Sequence, residues 1–488
     1  MKTHINLLLV LIVSTLLIFT TIVSCTVNEP SPTSATDGDI ETLLDVLDKA
    51  GFYVQEGEYS YTDAIALCNA GVIKTCQGNN VGAPYLAYKL PPAPEQTTPN
   101  MFADSRGWAY SYRLRPDEAI LQIGRTPPES RYFAYQSYLS FRYNATTKHY
   151  IQMFDSLGDT VNPLTINTKG KEDNPFDQPV IFITTADKGI DTRVRTAVEN
   201  AGYPSGIINT DVIPSSVVNM GLENDDDLFQ FLSRVALPKD KDSLDAYINN
   251  PGSTVLRLTP KTPPKLDPFP TPELRVRGTG NTEMDLLPAV DDLRAAILAK
   301  YSHLEATDIP TYMFVPEGYT AIQSNLNLLG DCRDTAYFST LKTEVWSSSE
   351  DLRMNAAFTL GDNPDEFVII FGVNHEATGK TTYSSCTVYG MRYLNGVASV
   401  YSNTYQGSTE DYIPGHAQAK YLYAWKIARN CDGQPYCLEV PVGPQRYGIE
   451  LDDTLALAFR NYLEKATKVG PAHIELVIDR VIKFSPKK

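Results

Sequence analysis

Apolar residues first recur at helical spacing at Ile40, Leu43, Leu44 and Leu47. Asp39 stands where a cap is needed and Gly51 where a helix must stop, so a helix is expected between them. A second helix is expected within residues 59–67. From residue 83 to 143 the rhythm changes to short aromatic and aliphatic runs that partly alternate, separated by turn residues such as Pro127-Pro128. That pattern predicts antiparallel strands. Residues 180–183 are continuously apolar, as in a strand covered on both faces. Val194, Ala197, Val198 and Ala201 then share one helical face, Gly202 ends it, and Ile207-Ile208 begins a return strand. Together these predict a β-α-β unit. Asp225-Asp226-Asp227 precedes an apolar run at 228–232 and reads as an acidic helix entry, because carboxylates complement the positive end of a helix.

Six prolines between positions 260 and 272 exclude helix and central strand and stiffen the chain. Residues 260–272 are therefore expected to link an N-terminal domain (39–259) to a C-terminal one (273–488). A helix is predicted within 282–301, with Leu286, Val290, Leu293 and Ile297 as its buried stripe and Thr282 with Asp285 as a capping box. Further on, the pattern predicts strands at 312–315 and 367–373. A hairpin is expected from 387–393 and 398–401 around Asn395-Gly396, then helices at 417–428 and 454–466 and a final strand at 475–484. The expected fold class is α+β, a mixed α/β chain of two domains. Each domain is a mixed sheet with packed helices, and the N-terminal one includes an aromatic-rich antiparallel sheet and the β-α-β unit.

A chain of 488 residues, 42% apolar and 10% aromatic, can bury substantial cores. Lys and Arg number 42 against 58 Asp and Glu, a net charge of −16. No basic stripe interleaved with aromatics occurs, which argues against nucleic acid as a partner. The first 25 residues have the layout of a secretory leader: Lys2, an apolar run at 7–13, and a close at Ile22-Val23-Ser24-Cys25. That closing string resembles the lipobox of bacterial lipoproteins. The resemblance implies a signal peptide over 1–25, acylation of Cys25, and an extracytoplasmic protein anchored to a membrane at the cell surface or in the periplasm. Two acyl chains suffice for stable anchoring. Residues 26–38 are polar and rich in Pro, Ser and Thr, as a flexible tether would be.

An exported protein can keep disulfides. Proximity favours Cys68 with Cys76 and Cys431 with Cys437, leaving Cys332 with Cys386. Six cysteines allow about 15 connectivities, so this pairing is a preference. Neither Cys-x-x-Cys nor His-x-x-x-His occurs, and no metal or cofactor is expected.

Ligands in α/β sheets sit beyond the carboxyl ends of strands. That rule selects Thr185 and Asp187 in one place and Asn374 and Lys380 in another as candidate ligand-binding residues. Gly379-Lys380-Thr381 ends like a phosphate loop, but Asn374 stands where the first glycine is required. His375 could act as a general base oriented by Asp331 or Asp334, with Arg333 gripping a substrate carboxylate. No nucleophile motif accompanies them. Two functional expectations follow. The favoured one is a lipid-anchored binding or surface module for a small molecule, glycan or envelope partner. The alternative is a secreted hydrolase with a site around Asp331, Arg333, Asp334 and His375.

Overall fold

A computed structural model describes residues 38–168, 174–314, 317–342, 358–443 and 445–487. Cys25, Val315 and the tether up to residue 37 lie outside them. The described residues belong to one unit, Thr36–Lys488.

The first helix, α1 (Ile40–Lys49), begins where Asp39 accepts hydrogen bonds from the N–H groups of Glu41 and Thr42. It ends before Gly51, whose φ of +86° suits a residue without Cβ. Nine strands then build one sheet: β1 (Phe52–Thr62), β2 (Tyr85–Lys89), β3 (Ala119–Arg125), β4 (Ser130–Asn144), β5 (His149–Ser156), β6 (Pro179–Thr185), β7 (Ile208–Val212), β8 (Leu228–Pro238) and β9 (Thr254–Pro260). Their order is β5-β4-β8-β2-β1-β9-β3-β6-β7. Only β6 and β7 run parallel, joined by α3 (Lys188–Asn200) as the β-α-β unit requires. The short α2 (Ala64–Asn69) precedes α3, and α4 (Lys241–Asn249) follows β8.

Beyond the proline-rich crossing come α5 (Leu287–Lys300), β10 (Glu305–Ile309), β11 (Tyr312–Phe314), α6 (Gly318–Gln323), β12 (Thr335–Ser339), β13 (Phe367–Val373), β14 (Tyr383–Gly390), β15 (Asn395–Tyr401), β16 (Leu422–Ala428), β17 (Cys437–Glu439), β18 (Leu455–Tyr462) and β19 (Arg480–Ser485). They form two five-stranded sheets, β10-β19-β13-β16-β17 and β11-β12-β18-β14-β15. Three sheets and few helices make this an α+β fold.

The period of two along each strand sorts the side chains into layers. On β8, Phe229, Phe231 and Val235 enter a large core with Tyr88, Phe133 and Tyr135. Helices α1 and α3 cover the β3-β6-β9 end of the sheet through Leu43, Leu47, Val194 and Val198. In the C-terminal half, the two small sheets share a core containing Phe338, Ile370, Val388, Leu457 and Phe459. Helix α5 and the turn before it cover the other face of β13 and β19, the turn with Leu286 and the helix with Val290, Leu293 and Ile297, the stripe expected from sequence. A further cluster joins the halves: Tyr132 and Ala134 of β4 and Ala236 of β8 pack with Tyr383 of β14 and Tyr462 of β18.

Several local expectations are corrected. Residues 228–232 are not helix but the start of β8, and Asp227 instead accepts from the Arg142 guanidinium at 2.9 Å and the Asn219 N–H at 2.8 Å. Most of 454–466 and of 417–428 is likewise strand, β18 and β16. Cross-strand packing overrode helical patterning in all three. The expected helix within 59–67 divides between the end of β1 and the start of α2. Helix α5 carries Pro288 in its first turn but has no side-chain cap at its start. The β14–β15 connection lies before Asn395-Gly396, which pair within the strands.

The thiols meet expectation only in part. Cys431 and Cys437 are bridged. Cys68, Cys76, Cys332 and Cys386 are buried and unbridged. Cys386 points into the core between the small sheets, whereas Cys332 packs with Tyr132 between the two halves, so the two occupy different layers.

Candidate functional site

The inter-sheet layer is not filled throughout. The faces of β2, β4 and β8 opposite the large core meet the outward faces of β12 and β18 around a cavity of about 420 Å³. That volume lies within the range of about 300–1,000 Å³ usual for small-molecule sites. Its lining is mainly apolar, with Phe154, Leu232, Phe314, Leu341, Met391 and Leu394 among the contributors. Val72 and Phe102 also line it and are exposed, so the cavity meets solvent there.

Among the described residues, three cations border this space: Lys89, Arg234 and Arg460. Lys89 is paired with Asp104 at 2.8 Å. Arg234 and Arg460 are 4% and 8% exposed, and neither has a carboxylate within ion-pair distance among the described residues. Arg234 donates to the hydroxyl of Tyr138 and, at 3.5 Å, to that of Tyr462, and lies 5.6 Å from the Tyr85 ring centroid. Arg460 donates to Thr387 Oγ1 at 3.3 Å and to the Gly78 carbonyl at 3.1 Å, and lies 5.5 Å from the Tyr389 ring. Burial works against both charges, yet both guanidinium pKa values are raised because tyrosines, including Tyr85 and Tyr462, act on each. Position explains the pairing of the two arginines. Arg234 follows Leu232 on the outward face of β8, and Arg460 follows Ala458 on the outward face of β18.

Asp331 is the one residue of the sequence-derived site that lines the cavity. Its carboxylate accepts from the N–H and the hydroxyl of Ser156, each at 2.7 Å. Burial pushes its pKa up to about 6, and the Ser156 hydrogen bonds oppose that rise. Neighbouring Asp155 is pushed up to about 9, by burial and then by Asp331. Arg333 turns away to Asp159 at 2.7 Å, Glu317 at 2.6 Å and the Arg275 carbonyl at 2.6 Å. Asp334 accepts from Tyr132 at 2.8 Å, Asn162 at 3.0 Å and the hydroxyl of Thr160. This loop therefore fastens the C-terminal half to residues 156–162.

His375 joins neither aspartate. Its Nδ1 lies 2.7 Å from Glu283 Oε2, and its Nε2 is 3.8 Å from Asp479 Oδ2, within ion-pair range but too long for a hydrogen bond. Burial alone would depress the imidazole, but Glu283 and then Asp479 raise its pKa to about 10. Lys380 is held by Glu475 at 2.6 Å, Glu464 at 3.0 Å and Thr279 at 3.1 Å. Asn374 donates its N–H to the Tyr421 carbonyl. At the other predicted spot, Thr185 donates to the Glu118 carbonyl and Asp187 caps α3 through the Ile190 N–H. None of His375, Asn374, Lys380, Thr185 or Asp187 borders the cavity.

Arg234 and Arg460 are hidden in the sequence because the apolar spacing in and beside their strands fits a helix as well as a strand. Read with a period of two, Gln230, Leu232 and Arg234 form a half-polar face on an otherwise apolar strand, which is the available signal.

No family model matches the chain, and no curated protein matches it. Two solved structures resemble it at a TM-score of 0.35 each. One, an uncharacterised protein of Burkholderia cenocepacia, is 10% identical and the match covers 91% of this chain and 86% of that one. The other, from Vibrio parahaemolyticus, is 12% identical over 91% of this chain and 100% of that one. Similarity at that level carries no functional argument. No helix among the described residues is long and apolar enough to cross a membrane.

Proposed function

We propose that the protein is a non-catalytic binding module that takes a small, largely apolar molecule into the cavity between its sheets. The observation that carries this reading is the apolar chamber of about 420 Å³ walled by both halves of the chain, with a few polar groups at fixed positions. The leader and Cys25 support placing this module outside the cytoplasm, held at a membrane by its acylated cysteine, and the Cys431–Cys437 bridge suits an oxidising compartment. The hydrolase reading has less support. An imidazole whose pKa is raised to about 10 carries its proton at neutral pH and cannot accept another. Arg333 and Asp334 are also spent on partners away from the cavity.

The test is to fill the chamber. Ala458 lines it on β18, so Ala458→Trp should occupy the space. Titration with a fluorescent apolar probe should show saturable binding to the unaltered protein and at least about tenfold weaker binding to the variant, with melting little changed. Equal binding by both proteins would overturn the reading.

A further inference from the structure

We infer that the cavity's ligand is an apolar carboxylate whose head group sits between Arg234 and Arg460. This rests on the binding reading above and names the chemistry of what is bound.

Buried charges are expected to be paired, because removing an ion from water is costly unless a counter-charge compensates. Three buried cations follow that rule, whereas Arg113 and Arg429, also buried, have no carboxylate within ion-pair distance among the described residues and spend their donors on backbone carbonyls and, for Arg113, the Tyr150 hydroxyl. Arg257 is fully buried and holds Glu118 at 2.8 Å. Arg333, 4% exposed on its side chain, has Asp159 and Glu317. Lys380 has Glu464 and Glu475. Arg234 and Arg460 also lack a carboxylate within that distance, but unlike Arg113 and Arg429 they border a shared cavity, one on each wall. Among the described residues two carboxylates line that space, and both are engaged: Asp104 by Lys89 and Arg106, Asp331 by Ser156.

A guanidinium has five N–H donors in a planar fork. Each of these arginines spends two on hydroxyl or carbonyl oxygens, so donors remain. The fork matches a carboxylate in two-pronged geometry, and such charge-assisted bonds are about twice as strong as neutral ones. Arg234 lies 3.5 Å from the Tyr462 hydroxyl and 5.6 Å from the Tyr85 ring centroid, and Arg460 lies 5.5 Å from that of Tyr389, so aromatic side chains border both charges. The apolar remainder of the cavity then receives the hydrocarbon body of the same molecule, with Leu232, Met391 and Leu394 as its contacts.

The experiment compares decanoate, decanol and decylamine by calorimetry at neutral pH on the purified full chain. Decanoate should bind at least about tenfold more tightly than decanol, and decylamine should bind more weakly than either. Arg234→Met and Arg460→Met should each remove most of that advantage while leaving decanol within about twofold. If a methionine variant fails to fold, the lysine variant replaces it. Lysine keeps the charge but loses the two-pronged geometry, so decanoate alone should weaken. Equal binding of decanoate and decanol would overturn the head-group assignment and leave the cavity reading standing. So would an advantage that persists in both arginine variants. Failure of all three probes, together with no effect of Ala458→Trp on the fluorescent probe, would overturn the cavity reading and this assignment together.

Discussion

His375 should make the protein's stability depend on pH in a way that can be calculated. Its imidazole is buried between Glu283 and Asp479, and its pKa is raised from 6.5 to about 10. A group held above its unfolded value contributes stability that is complete below the unfolded pKa and is lost as pH rises through the folded one. At about 1.4 kcal/mol per unit, the full contribution is about 5 kcal/mol. Applying the same linkage between pH 7 and pH 9 gives a loss of about 2–3 kcal/mol. Thr378 and the Val477 N–H also bind Glu283, so that carboxylate keeps some support without the imidazole. His375→Gln removes the proton and leaves two buried acids facing an uncharged amide, which should cost about 3–5 kcal/mol near neutrality. The assay is urea denaturation at several pH values for both proteins. Subtracting the variant's curve from the parent's cancels the titrations they share. A difference that stays flat from pH 7 to 9 would refute the argument, because it would mean that His375 is neutral in the folded protein.

Other consequences can be measured on the same preparations. Asp155 is pushed up to about 9 by burial and by Asp331, so its ionisation opposes folding at neutral pH. Asp155→Asn, which can still accept from the Leu328 N–H, should be neutral or stabilising by about 1–2 kcal/mol in denaturant titration, and a clear loss would contradict it. Glu118→Gln breaks the fully buried pair with Arg257 and should cost about 3–5 kcal/mol. Non-reducing peptide mapping should recover Cys431 joined to Cys437, and reduction of that short loop should cost about 2 kcal/mol. Recovery of Cys332 joined to Cys386 would contradict the layering of the C-terminal half.

Elements with strong local signals were legible in the sequence. Asp39 and Gly51 mark the limits of α1, the 180–208 stretch is the β-α-β unit, and residues 367–373 are β13 to the residue. The failures share a cause. At 228–232 and 454–466, apolar residues fall at spacings compatible with either period, and partners distant in sequence decide between them. Residue 232 pairs with Ala87 and Gln136, and residue 459 with Phe338 and Cys386, contacts that no local window contains. The candidate site lay in those segments. Reading β8 and β18 as helices scattered Arg234 and Arg460 around imagined cylinders instead of placing each on a cavity wall. His375 drew attention for its chemistry, yet its proton is locked by Glu283, a residue nothing local connects to it.

The walls of the chamber are written more than two hundred positions apart, with Arg234 on one and Arg460 on the other. A ribosome finishes the first wall long before it begins the second. Domains that complete early can fold during synthesis, but here the large sheet would wait with Leu232 and Arg234 uncovered until nearly the last strand emerged. Only a chain kept unfolded until its last strands are made would be spared that half-built state.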